Sequence, residues 1–74
     1  SLPEFSEAEL SRYDGLDGQP AYVAVDGKVY DMSSEFRNGL HYGYKAGIDQ
    51  TDAFYSEHSA SLLSDFEIVG TYAP

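Results

Sequence analysis

Phe5 and Leu10 bracket Ser6-Glu7-Ala8-Glu9. That pattern predicts a capping box, in which Ser6 and Glu9 satisfy each other's backbone amides, with the two apolar residues as a hydrophobic staple. The helix is expected over about Glu7 to Tyr13, ended by the turn formers Asp14-Gly15-Leu16-Asp17-Gly18-Gln19-Pro20. Ala21-Tyr22-Val23-Ala24-Val25 and Lys28-Val29-Tyr30-Asp31 are β-prone runs separated by Asp26-Gly27, a pair that strongly favours a type I′ turn. A hairpin follows. Its first strand is apolar on both faces, so both should be covered.

After Met32 the pattern shortens. Ser33 or Ser34 can cap a helix holding Phe36, with Asn38-Gly39 as its stop. A second helix is expected near Asp49, whose carboxylate can cap a turn containing Thr51 and Asp52, with Ile48, Ala53 and Phe54 as the apolar face and His58 at its end. A third covers Ser61 to Ser64, and Phe66 to Tyr72 closes the chain as a strand. The order helix, hairpin, three short helices, strand describes one small α+β domain, whose helices form an inserted unit projecting from the sheet.

Composition narrows what such a fold can do. At 74 residues, the chain buries only about 60% of the surface it would expose unfolded, so its core needs a further staple. With no cysteine, neither a disulfide nor a thiolate-held zinc or iron–sulfur site can supply it, and the compartment stays open. Thirteen acidic against 4 basic residues give a net charge of -9, which argues against nucleic acid and anionic membranes and favours a basic partner. No apolar run approaches the roughly 20 residues that span a bilayer. The chain lacks an initiating methionine and is read as a processed or excised domain, with Ser1-Leu2 as a cloning remnant and any membrane anchor elsewhere in a longer protein.

The candidate chemistry gathers in the inserted unit. His41 and His58 are its two histidines, each expected at a helix boundary, where two imidazoles can face each other across a slot. Two surface histidines are the plainer alternative. The aromatic residues Phe36, Tyr42, Tyr44, Phe54, Tyr55 and Phe66 crowd around them with Leu40, Ile48, Leu62 and Leu63. They fit a small core or the walls of a slot for a flat apolar cofactor. Asp49, Asp52 and Glu57 read as caps and solvated positions, and no nucleophile elbow or phosphate-binding glycine loop is present. A metal site from His41, His58 and one carboxylate is allowed, without metalloprotease spacing to support it.

Several blocks in register carry a resemblance: Phe5-Ser6-x-x-Glu9-Leu10-x-x-Tyr13-Asp14-Gly15, then Tyr22 through Ser33, Ala46-Gly47-x-Asp49-x-Thr51-x-x-Phe54, His58, and Ile68-Val69-Gly70-Thr71-Tyr72. Together they resemble the cytochrome b5-like heme/steroid-binding domain family over nearly the whole chain. The resemblance implies a small mixed sheet with short helix pairs forming a cleft for non-covalent heme b. His41 and His58 would be its axial ligands, and Leu40, Tyr42, Tyr44, Ile48, Phe54, Leu62, Leu63 and Phe66 the binding residues. With both axial positions taken by imidazole, such a heme exchanges electrons rather than catalyses. A one-electron carrier, not an enzyme, is therefore expected: a monomer docking on a basic reductase or cytochrome. Its heme would staple the helical unit, so removal should loosen that unit before the hairpin.

The chain departs from the microsomal pattern. His41-Tyr42-Gly43-Tyr44 stands where His-Pro-Gly-Gly is usual, and the span between the histidines is shorter, as in short prokaryotic members. Tyr42-Gly43-Tyr44-Lys45-Ala46-Gly47-Ile48-Asp49 also matches the Tyr-Gly-x-x-Ala-Gly-x-Asp motif of the membrane-associated progesterone receptor branch. There a tyrosinate at Tyr42 would bind iron in a heme- or steroid-binding regulatory module. His41 is preferred because His58 is present to complete the pair.

Overall fold

Asp26 and Gly27 take φ of 52° and 78°, the left-handed pair that a type I′ turn needs, and they join β2 (Tyr22–Val25) to β3 (Lys28–Asp31) as an antiparallel hairpin. The computed structural model describes residues 1–74. Ahead of the hairpin lie β1 (Glu4–Phe5) and α1 (Glu7–Leu10); behind it come a 3₁₀ helix (Ser33–Glu35), β4 (Leu40–His41), β5 (Tyr44–Lys45), α2 (Thr51–Glu57), a second 3₁₀ helix (Ala60–Asp65) and β6 (Glu67–Tyr72). The fold is α+β.

The main sheet runs β1-β6-β3-β2, antiparallel except for the parallel β1–β6 pair. The outer edge of β2 is covered by residues 47–50: the Gly47 and Gln50 amides donate to the Tyr22 and Ala24 carbonyls at 2.7 and 2.9 Å, and the Ala24 amide donates to Ile48 at 3.2 Å. Both faces of β2 are buried, as its unbroken apolar run requires. Val23 and Val25 join Ala21, Tyr30, Met32, Ala46 and Phe54 on one face. Ala24 joins Leu10 and Val29 on the other, under Phe5, Tyr22, Val69 and Tyr72. Leu10, Val25 and Val29 are fully buried, each contributing about 1.5–3 kcal/mol.

The capping box forms as expected: the Ser6 amide donates to Glu9 Oε1 at 2.9 Å and the Glu9 amide to Ser6 Oγ at 3.1 Å. The helix stops at Leu10 rather than Tyr13, because Tyr13 turns to stack on Tyr22, ring centroids 4.7 Å apart. Between Met32 and Lys45 the expected helix is replaced by other structure. Ser33 caps nothing; its hydroxyl accepts the Ala21 amide at 3.0 Å and donates to Asp31. Phe36 follows the 3₁₀ turn in extended conformation. Asn38-Gly39, with φ of 53° and 77°, closes a tight turn bridging Arg37 to Leu40 instead of ending a helix. Tyr42-Gly43, at 48° and 85°, closes the β4–β5 hairpin. The inserted unit therefore pairs a small β-ribbon with α2 and a 3₁₀ helix, not short helices throughout.

Candidate functional site

Alternation along the ribbon decides which side chains reach the interior. His41 and Tyr44 are directly paired across β4 and β5, and Leu40 with Lys45; paired residues share a face and neighbours oppose each other. His41 and Tyr44 turn inward to line a cleft of about 420 Å³, within the usual range for cofactor sites. Leu40 faces outward and is 47% exposed. The opposite wall is α2, where Phe54 and His58 are four residues apart on one side, ring centroids 5.3 Å apart. Val23 of β2 and Met32 extend the core to the cleft floor, and Leu62 and Phe66 close the end.

The cleft thus brings together His41, His58, Tyr42, Tyr44, Phe54, Leu62 and Phe66 of the expected set. It leaves out Leu40, Ile48 and Leu63. Ile48 lies in the segment alongside β2 and is 40% exposed, while Leu63 packs against the core one residue round the 3₁₀ turn from Leu62. Sequence reasoning missed Val23, Met32, Glu35, Gln50, Ala53 and Glu57 as cleft residues. For Ala53 and Glu57 the signal existed, since both fall on the helix face that carries Phe54 and His58; for Glu35 no local pattern carried it.

The two imidazoles are held differently. His41 is half-buried, and its Nδ1 lies 2.7 Å from the Glu35 carbonyl oxygen, so Nδ1–H donates and Nε2 keeps its lone pair for a ligand. Phe36 packs on the ring at 5.6 Å. His58 closes α2 as its C-cap, its amide donating to the Phe54 carbonyl at 2.8 Å, and its ring is exposed at the cleft edge. Tyr42 stands edge-on to His41 at 4.7 Å, at the tip of the ribbon, 91% exposed.

Two hydrogen bonds connect the walls. The Tyr44 hydroxyl donates to Glu57 Oε2 at 3.4 Å, and Gln50 Nε2 donates to the Lys45 carbonyl at 3.0 Å. Behind α2, the Asp26 amide donates to Thr51 Oγ1 at 2.9 Å and the Tyr55 hydroxyl donates to the Asp26 carboxylate, so the hairpin tip fixes the first turns of the helix that carries His58. The tyrosines with raised pKa, Tyr22 and Tyr72 through burial and Tyr55 through its bond to Asp26, all lie outside the cleft.

Against this geometry, the sequence model for the cytochrome b5-like heme/steroid binding domain matches residues 6–73. The chain belongs to that family. A Hadesarchaea cytochrome b5 domain protein superposes with a TM-score of 0.88 at 42% identity, over 97% of this chain and 100% of that one. A cytochrome b5 domain protein of Methanococcoides burtonii gives 0.86 at 38%, over 99% and 100%. Human neuferricin is 48% identical over 67 residues, 82% of this chain, and the chain spans a quarter of its length (25%). The fold is cytochrome b5-like, and family membership implies heme binding.

The donor set fits that cofactor. No group of three or more His, Cys, Asp or Glu side chains is placed to hold a bare ion, which removes the metal site of two histidines and a carboxylate. A heme brings four nitrogen donors of its own and asks the protein for axial ligands and apolar walls. Two imidazoles in one largely apolar cleft are what this chain offers. No helix is long and apolar enough to cross a membrane.

Proposed function

We propose that the domain holds heme b non-covalently between His41 and His58 and passes single electrons. The observation that carries this reading is the meeting of both imidazoles in one apolar cleft, with His41 Nδ1 committed to the Glu35 carbonyl. Heme attached through thioethers is excluded because the chain has no cysteine. When bound, the heme supplies a one-electron ferric/ferrous couple. His41 and His58 would hold the group, leaving oxygen and substrates no open site, and Phe36, Phe54, Leu62 and Phe66 of the lining would keep water from it. The net charge of -9 guides a basic redox protein into a short-lived encounter.

The reduced-minus-oxidised visible spectrum of the hemin-loaded domain tests the ligation. Sharp, resolved low-spin bands are expected, lost in both His41→Ala and His58→Ala. Unchanged spectra in both variants would sink the reading. A high-spin spectrum abolished by Tyr42→Phe and indifferent to His58→Ala would instead assign the domain to the tyrosinate-ligated regulatory class. The 91% exposure of Tyr42 at the ribbon tip weighs against that outcome.

A further inference from the structure

Beside each candidate ligand an acidic residue belongs to the rim of the cleft. Glu35, whose backbone carbonyl holds His41, and Glu57, which precedes His58 on α2, both line it, and no Lys or Arg does. Both are solvent-exposed, so water weakens their field, but they border the cleft at short range and no cation of the lining offsets them. Ferric heme carries one more positive charge than ferrous heme. Negative charges bordering a cleft that held heme would therefore stabilise the oxidised form and oppose uptake of the electron.

We propose that Glu35 and Glu57 are positioning charges that set the reduction potential of the bound heme, holding it low. The inference rests on the bis-imidazole reading above. Of the 13 acidic residues, these two alone belong to the cleft lining; the other eleven lie outside it, where distance and salt screen them further. The glutamates also suit a clean test. In Glu57→Gln the amide oxygen still accepts from the Tyr44 hydroxyl, so the link between the walls survives while the charge goes. In Glu35→Gln the backbone carbonyl that orients His41 is untouched, and the side chain can still accept from Ser34 Oγ.

The experiment is a spectroelectrochemical titration of the hemin-loaded domain, with dithionite as the electron donor, on the unsubstituted chain, Glu35→Gln, Glu57→Gln, the double variant, Glu57→Asp, and Glu4→Gln as a charge removed outside the cleft. Each of the two cleft variants should raise the ferrous-to-ferric ratio at fixed potential by roughly two- to tenfold, about 20–60 mV upward for a one-electron couple. The double variant should shift further, Glu57→Asp should return most of the change, and Glu4→Gln should move the potential by less than half as much. A retained low-spin spectrum with unshifted potentials, or with Glu4→Gln shifting as much as the cleft variants, overturns the inference alone. Absence of the low-spin spectrum in the unsubstituted chain overturns the ligation and this inference with it.

Discussion

Phe54 joins the core to the cleft, which makes its truncation informative about both. The ring is 8% exposed, packs with Val23, Val25, Tyr30, Met32 and Ala46, and also lines the cleft beside His58. Phe→Ala in a core costs about 3–5 kcal/mol. Here one side of the vacancy opens into the cleft and admits water, so the lower end applies, about 3 kcal/mol. For 74 residues, total stability is of order 4–11 kcal/mol, and the variant loses a large share of it. At roughly 4–8 °C per kcal/mol for a domain of this size, the heme-free Tm should fall by about 12–24 °C. Hemin at a hundred times its Kd adds about 2.7 kcal/mol to the unsubstituted chain, and should add less to Phe54→Ala because a wall of the cleft is missing. Circular dichroism melts with and without hemin measure both quantities. A heme-free drop under about 4 °C, equivalent to less than 1 kcal/mol, would refute the packing argument; equal hemin shifts in the two chains would refute the contact between ring and cofactor.

Gly39 and Gly43 share a left-handed conformation but not a neighbourhood. A Cβ at Gly39 would sit 2.8 Å from the Asp14 carbonyl oxygen, whereas Gly43 has nothing within 4 Å. Gly43→Ala should therefore cost only the conformational penalty of about 1–2 kcal/mol, and Gly39→Ala should cost at least about 1 kcal/mol more through overpacking, read as the difference between their melting temperatures. The Ser6 amide, and then the Ser6 hydroxyl, hold Glu9 below the usual carboxylate range, so its contribution is present above the ordinary value and lost as pH falls through the lowered one. Between about pH 6 and pH 3, Glu9→Gln should lose less of its urea midpoint than the unsubstituted chain does. Tyr55 has the opposite sign: its bond to Asp26 raises its pKa, and its contribution is lost as pH rises through that raised value. Tyr55→Phe should be less stable at neutral pH, with the gap in urea midpoint closing as pH rises beyond the ordinary tyrosine value of about 10.

Elements specified by short-range chemistry were legible in the residues alone. The capping box needs only Ser6 and Glu9, the hairpin turn only Asp26-Gly27, and covering of both faces of β2 follows from its apolar run. The family, and the pair of histidines within one cleft, were likewise readable, because both depend on residue type and order. What tertiary structure decided was direction. Asn38-Gly39 and Tyr42-Gly43 can end a helix or turn a strand, and the pairing of Leu40 with Lys45 and His41 with Tyr44 selects the second. That choice sends His41 inward and Leu40 outward, a reversal that composition cannot encode since adjacent strand residues face opposite sides. The parallel pairing of β1 with β6 joins residues near opposite ends of the chain, beyond any local pattern. Glu57, a solvated position by sequence, and Glu35, which no sequence pattern singled out, become cleft residues because the ribbon and α2 border the same cleft. Type and order are local properties that the amino acids carry with them; orientation toward a shared cleft exists only once distant segments have packed.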